Sequence, residues 1–294
     1  MKISIVTPSY NQATFLERTI ESVWHQQGDF DLEHIIADGG SNDNSVEIIK
    51  KYARLYQNKA YPWQCKNFSC IWWSKPDDGQ ADALNKGFAL CSGQIFGWLN
   101  SDDTFCNPYA LQVIHDSFKA SAADIIVGCA NHIDAYDNYL GKCEFVELKA
   151  GYVDKAQLKP ILQSAFITQP AAFFTKELFL KFRLDKKLHY YMDWDFWIRA
   201  FLADHKFYKI GDAIANARLQ PNAKTVIAGS RMYREKLKIY RRYRTWGLNR
   251  IYCYLFDLNT RCQRDPVLGK ISSRLIGWLG SIKKVMFKNS LPVG

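Results

Sequence analysis

The chain contains no run of about 18 apolar residues, so it offers no candidate for a membrane-crossing helix. Its eight cysteines include no Cys-x-x-Cys pair, and so give no sign of a metal ribbon or a paired redox site. Nothing at the N-terminus reads as a signal peptide, because Met1-Lys2 runs straight into the strand-like Ile3-Ser4-Ile5-Val6. The thiols are therefore expected to be reduced and the protein cytoplasmic. The first strand-end loop, Thr7-Pro8-Ser9-Tyr10-Asn11, has no glycine, and so lacks the Gly-rich phosphate loop expected of a nucleotidyltransferase. Internal repeats and low-complexity linkers are absent as well.

What is present is apolar and aromatic. Of 294 residues, 48% are hydrophobic and 15% aromatic, enough to bury the core of one large domain, alone or with an appendage. The formal net charge of +10 is unevenly placed. From Val226 onward there are 15 Lys and Arg against 3 Asp and Glu, while the first 225 residues are close to neutral at −2. A basic tail implies a polyanionic partner. Its cations are interleaved with aromatics, in Tyr240-Arg241-Arg242-Tyr243-Arg244-Thr245-Trp246 and in Leu275-Ile276-Gly277-Trp278-Leu279 followed by Lys283-Lys284. That mixture suits the headgroup layer at the inner face of a membrane, although a solvated basic helix capping the domain has the same composition. Nucleic acid is not expected as a partner. A nucleic-acid binder distributes cations around its main groove, and the body of this chain is net negative.

Along the first half, strand-like and helix-like segments alternate, the pattern of βαβ units and a mainly parallel α/β sheet flanked by helices. Strands are predicted at Ile3 to Thr7, His34 to Ala37, Ile71 to Trp73 and Ile95 to Leu99. Phe15, Leu16, Thr19, Ile20, Val23 and Trp24 recur at helical spacing, and further helices are predicted after Asn44 and from Gln80 to Cys91. Beyond about residue 105 the pattern loosens. It suggests a helix near Tyr109 to Lys119, a strand at Ile125 to Gly128 and a β-ribbon from Tyr139 to Leu148. A helix from Trp194 to Ala203 and a basic helical tail from about Ser230 complete the reading. Several strands end in clusters of small, acidic and turn residues. Ligands of open α/β sheets bind at the carboxyl ends of strands, so these clusters are expected to converge on one crevice.

Two adjacent carboxylates in Asn100-Ser101-Asp102-Asp103 have little structural use at a strand end, where unpaired they repel. A divalent cation removes that repulsion, and hard oxygen ligands suit Mg²⁺ or Mn²⁺ bridging a diphosphate. A helix cap or an exposed turn would explain the same pair without a metal. Met192-Asp193-Trp194-Asp195-Phe196-Trp197-Ile198-Arg199 places carboxylates before an aromatic-rich helix. Asp is favoured there by capping and the helix dipole. Rings beside a carboxylate also exclude water, raising its pKa toward that of a general base, and form platforms for sugars; equally, they are plain core.

Taken in order, these motifs resemble the inverting glycosyltransferase family 2, with its GT-A (Rossmann-like) nucleotide-sugar fold, over roughly residues 1 to 225. Thr7, Pro8, Ser9 and Tyr10 are similar to its first loop around the nucleoside. Asp38, followed by Gly40, stands where the family binds the base. Asp78, Asn85 and Lys86 resemble its segment lining the nucleotide and phosphates. Ser101, Asp102 and Asp103 match its diphosphate and metal motif, with Asp103 and Asp102 as ligands of Mn²⁺ or Mg²⁺. Gln169, Trp194 and Asp195 fall on acceptor-side motifs, and Asp193 on the catalytic base.

The resemblance implies a nucleotide-binding half over residues 1–105, an acceptor-binding half over 106–225 and the basic tail over 226–294. It implies a single inverting displacement from a nucleotide-diphosphate donor, favouring UDP, onto a glycan or lipid-linked acceptor in surface-polysaccharide synthesis. The protein would then be peripheral on the cytoplasmic face of the inner membrane. Two departures stand out. The family's Arg-x-His-Pro-like stretch reads Arg218-Leu219-Gln220-Pro221, so an amide replaces the imidazole, and two glycines before the base loop are replaced within Phe182-Arg183-Leu184. The competing readings are a metal-dependent nucleotidyltransferase and a non-catalytic sugar- or nucleic-acid-binding module.

Overall fold

The computed structural model describes residues 1–143, 148–221, 223–245 and 250–257, apart from 252 and 256. The chain divides into two compact units, residues 1–158 with 166–220, and residues 159–165 with 221–294.

The first unit is built on one ten-stranded sheet. Its strands are β1 (Lys2–Ser9), β2 (Gln27–Asp38), β3 (Gln64–Ser74), β4 (Ile95–Trp98), β5 (Thr104–Phe105), β6 (Ile125–Ile133), β7 (Tyr139–Lys142), β8 (Gly151–Val153), β9 (Ala172–Thr175) and β10 (Phe207–Arg218). The order is β3-β2-β1-β4-β9-β6-β10-β5, with β7 on β6 and β8 on β10. The helices of this unit are α1 (Ala13–Trp24), α2 (Ser45–Gln57), α3 (Gln80–Leu90), α4 (Ala110–Ser121), α5 (Lys155–Leu158), α6 (Lys176–Lys181) and α7 (Met192–Leu202).

The expected parallel sheet is the first half: β3, β2, β1 and β4 all run parallel. The complete sheet is mixed, because β9 is antiparallel to both β4 and β6. Two reversals restore the direction, so β6, and β10 parallel to it, end at the same edge as β1 to β4. That edge receives every strand-end motif.

Strand β1 is central and buried on both faces, which accounts for its unbroken apolar run. Ile3 and Ile5 join a core with Leu16 and Ile20 of α1, Ile49 of α2 and Leu111 and Ile114 of α4. Val6 lies on α3, where a Cβ on Gly87 would come within 2.5 Å of its Cγ1, so the helix approaches this closely only because Gly87 has no side chain. A second, aromatic core on that side joins Phe88 of α3, Phe96 and Trp98 of β4, Phe174 of β9, Phe179 of α6 and Trp197 of α7. On α1, the six residues singled out by helical spacing are the six that are buried.

Strands β5, β8, β9 and β10 were not legible. Strand β10 breaks the apolar alternation with Gly211 and Asp212, at a register shift between Lys209 and Ala213 against β6. The expected β-ribbon is β7, and residues 144–147 lie outside the described residues. In the second unit, α8 (Lys224–Ile227) precedes α9 (Ser230–Arg242), the start of the expected basic helix. Leu237, Ile239 and Tyr240 of α9 are buried, and Tyr240 Oη donates to Gln163 O at 2.7 Å. The Leu275 to Lys284 segment lies outside the described residues. Among the described residues, no helix is long and apolar enough to cross a membrane.

Candidate active site

Parallel pairing sets Ser9 opposite Asp38, and Asp38 opposite Ser74, across the carboxyl edge. The Asp38 carboxylate is fully buried and engaged by its own loop. Oδ2 accepts from the Gly40 and Ser41 amides at 3.1 and 2.9 Å and from Ser74 Oγ at 2.7 Å, and Oδ1 accepts from Ser41 Oγ at 2.6 Å. Gly40 takes φ +82°, and a Cβ there would meet the Pro76 backbone nitrogen at 3.2 Å, so this turn requires glycine. The structure thus gives Asp38 a loop-forming place. Thr7 also turns inward, its Oγ1 lying 2.9 Å from His34 Nε2. His34 Nδ1 accepts from Trp24 Nε1 at 3.0 Å, which leaves the proton on Nε2, and burial pushes the imidazole down to about 3. Pro8 lies opposite Ala37, one residue before the end of β1. Ser9 Oγ is buried with no hydrogen-bond partner among the described residues, and Tyr10 is exposed on the lip of the edge.

The acidic turn after β4 is the most constrained part of the edge. Asp103 is buried: Oδ1 accepts from the Arg218 backbone amide at 2.9 Å and Oδ2 from Asn100 Nδ2 at 3.1 Å. Asn100 also donates to Gln169 Oε1 at 3.0 Å and accepts from Gln80 Nε2 at 2.7 Å, while Gln169 Nε2 anchors on Trp98 O at 2.8 Å. The expected residues Gln169 and Asp103 are therefore joined through Asn100. Burial, and then the adjacent Asp102, push the Asp103 carboxyl up to about 8; burial also raises Asp102. Gln220 Nε2 donates to Asp102 Oδ2 at 2.7 Å, and Arg218 Nε donates to Asp102 O at 2.7 Å. Ser101 is buried beside them.

Two carboxylates are crowded together here, and the nearby Arg218 guanidinium bonds the Asp102 backbone carbonyl rather than either carboxylate; such a pair fits a divalent metal, and its hard oxygens suit Mg²⁺ or Mn²⁺. Among the described residues, no group of three His, Cys, Asp or Glu could hold a metal ion. Gln220 occupies the position where an imidazole would have made a third.

The remaining expected residues divide between rim and scaffold. Asp78 is exposed and accepts from Lys186 Nζ at 3.3 Å. Lys86 Nζ pairs with the buried Asp82 at 2.6 Å. Asn85 faces the loop before α7, donating to Leu184 O at 2.9 Å and accepting from Leu184 N at 3.0 Å. This clamp sits where the sequence departs from the family's glycines. Asp193 is half-buried in the first turn of α7, its Oδ1 accepting from Trp194 N at 2.7 Å. Trp194 is 1% exposed and Asp195 0%, the latter paired with Arg199 Nε at 2.8 Å, so both side chains, expected on the acceptor side, are buried inside the fold. Sequence reasoning named Asn100 and Arg218 only within their motifs, with no role for either, and passed over Gln80. Asn100 opens the acidic motif and Arg218 stands two residues before the departing Gln220, and these positions were the signals available.

The family described as Glycosyl transferase family 2 matches residues 4–183. The chain belongs to glycosyltransferase family 2. Within that family it is 35% identical over 137 residues to an uncharacterized glycosyltransferase of Nostoc sp. (strain PCC 7120), covering 47% of this chain and 38% of that relative. It is 25% identical over 254 residues to an uncharacterized glycosyltransferase of Methanocaldococcus jannaschii, covering 85% and 81%. The crystal structure of Staphylococcus aureus TarS residues 1–349 in complex with UDP-GlcNAc superposes with TM-score 0.62 at 17% identity, covering 90% of this chain and 73% of that one. The glycosyltransferase family 2 chain thus shares its central sheet and flanking helices with GT-A enzymes.

Proposed function

We propose that the chain transfers a sugar from a nucleotide-diphosphate donor, UDP-linked, to a hydroxyl of a glycan or lipid-linked acceptor, with inversion at the anomeric carbon. The Asp102-Asp103 pair at the carboxyl edge, Asp103 buried and Asp102 half-buried, gripped by Arg218 and Gln220, carries this reading. A relative named as a Staphylococcus aureus poly(ribitol-phosphate) β-N-acetylglucosaminyltransferase supports it, as does a structural neighbour bound to UDP-GlcNAc. A mannosyltransferase neighbour in complex with GDP-Man and Mn²⁺ supports a divalent cation.

Asp103 and Asp102 would hold Mn²⁺ or Mg²⁺, which when bound offsets charge on the departing diphosphate. Asn100 and the Arg218 amide orient Asp103, and Gln220 orients Asp102. Asp193 accepts the proton of the acceptor hydroxyl as its oxygen bonds to the anomeric carbon and the bond to the diphosphate breaks. The Trp194 amide on Asp193 Oδ1 fixes that carboxylate. Orientation of the two substrates contributes about 7 to 11 kcal/mol of barrier lowering, and the base a further factor of about 10² to 10⁴. Ser9, Tyr10 and Asp78, on the same edge, supply the nucleoside side.

A calorimetric titration with UDP, with Mn²⁺ and then with chelator, repeated on Asp103→Ala, tests the donor site. Metal-dependent binding that disappears in the variant supports the reading, and an absence of binding to UDP, TDP or GDP under every metal condition rejects it.

The basic tail is assigned to an anionic membrane surface on the same terms. Helix α9 has six Lys and Arg against one Glu. Co-sedimentation with anionic vesicles, unchanged by removal of residues after 230, would refute this assignment.

A further inference from the structure

The guanidinium of Arg218 is fully buried and divides its donors between two places. Nε binds the Asp102 carbonyl at 2.7 Å, next to the acidic pair. Nη1 binds the Asp134 carbonyl at 2.7 Å, and Nη2 the Asp137 carboxylate at 2.5 Å. Both belong to the turn between β6 and β7. The Phe15 ring covers the group, its centroid 4.9 Å from Cζ. Arg18 of α1 reaches the same turn, binding Ala135 O at 3.2 Å and Asp137 Oδ2 at 2.6 Å. The turn is braced internally: Asp134 Oδ1 accepts from the Tyr136 and Asn138 amides at 2.8 and 2.9 Å, and Asp137 adopts φ +71°.

We infer that Arg218 is a positioning residue that couples the acidic pair to the 134–138 turn, so that binding of a diphosphate and its cation at Asp102-Asp103 further stabilises the turn. A buried guanidinium is tolerated only with its donors satisfied, because an unpaired one carries the full desolvation penalty. The turn therefore cannot leave without exposing Arg218 to that penalty. Arg218 in turn cannot shift without releasing the Asp102 carbonyl and, through its backbone amide, the Asp103 carboxylate. The planar fork of arginine spans three acceptors at once, whereas lysine offers a single point charge. Tyr136, 83% exposed at the centre of the turn, is the side chain this coupling would move relative to the site.

The inference rests on the donor-site reading, and its test separates the two. Full-length wild type, Arg218→Lys and Asp137→Asn are each titrated with UDP over a range of Mn²⁺. Amide hydrogen exchange of residues 133–139 is followed with and without both ligands. In the wild type, UDP with Mn²⁺ should slow exchange in the turn. Arg218→Lys should lose that slowing and need about 10-fold more Mn²⁺ for half-maximal UDP binding, as for other residues that orient metal ligands. Asp137→Asn, on a half-exposed side chain, should shift both readouts in the same direction by less. Lower melting temperatures with an unchanged Mn²⁺ midpoint and intact protection would show a merely structural Arg218 and overturn the coupling. A wild type that binds no UDP would reject the donor site itself.

Discussion

Gln220 Nε2 donates a 2.7 Å hydrogen bond to Asp102 Oδ2, placing a neutral amide against the acidic pair. An amide neither carries charge nor titrates, so among the described residues a cation held by the pair would find the two carboxylates as its ionic ligands. Gln220→His should lower the Mn²⁺ concentration needed for UDP binding. It should also add a pH dependence near the ordinary histidine pKa of about 6.5, because a protonated imidazole cannot ligate. Titrations at pH 5.5 and 7.5 on both proteins check this; equal midpoints at both pH values in the variant would contradict it.

Asp193→Asn should reduce transfer by about 10² to 10⁴ while leaving metal-dependent UDP binding intact, since the substitution removes only the proton acceptor. Comparison of single-turnover rates with UDP affinity is the measurement. Near wild-type turnover would move the base elsewhere.

His34 makes the fold acid-sensitive. Above pH 6.5 the ring is neutral in both the folded and the unfolded chain, so stability does not depend on it. As pH falls from 6.5 toward about 3, the unfolded chain binds a proton that the buried ring refuses. Stability should then drop by about 1.4 kcal/mol per pH unit from this residue. Urea unfolding at pH 7 and pH 5 reads the difference, which His34→Gln should reduce.

Gly87→Ala sets two effects against each other. Alanine favours a helix over glycine by about 1 kcal/mol, but its Cβ would come within 2.5 Å of Val6 Cγ1 in a packed core. Overpacking of this kind costs about 1 to 3 kcal/mol, so the variant should be less stable. Val6→Ala in the same chain should recover part of the loss, as measured by thermal melting.

Asn85→Ala strands the Leu184 amide and carbonyl, and should destabilise the protein by about 1 to 3 kcal/mol. Exchange in residues 183–189 should rise more than UDP affinity falls. The reverse balance would make Asn85 a donor ligand first.

The parts of this protein that were legible in advance are local. The apolar run of β1 and the six buried positions of α1 follow from periodicity, because the face a helix or strand buries is written at spacings of 3.6 and 2. The order of the strand-end motifs placed Asp102 and Asp103 on the carboxyl edge for the same reason. The direction of a side chain at that edge depends on partners distant in sequence. Asp38 is named from its motif, but that Ser74, 36 residues on, donates to its carboxylate is decided only by the pairing of β2 and β3. Trp194 and Asp195 read as acceptor contacts until α7 packs them inward.

The sequence by itself determined the family, the α/β alternation and the acidic turn, since each resides in contiguous residues whose chemistry or period is read without knowing the fold. Tertiary structure alone decided what those motifs touch. Arg218 meets Asp102, 116 residues away, because the turn after β4 runs into β5, which pairs antiparallel with the end of β10. No local pattern encodes that meeting. It arises from strand pairing and from the requirement that a buried guanidinium find every partner within reach.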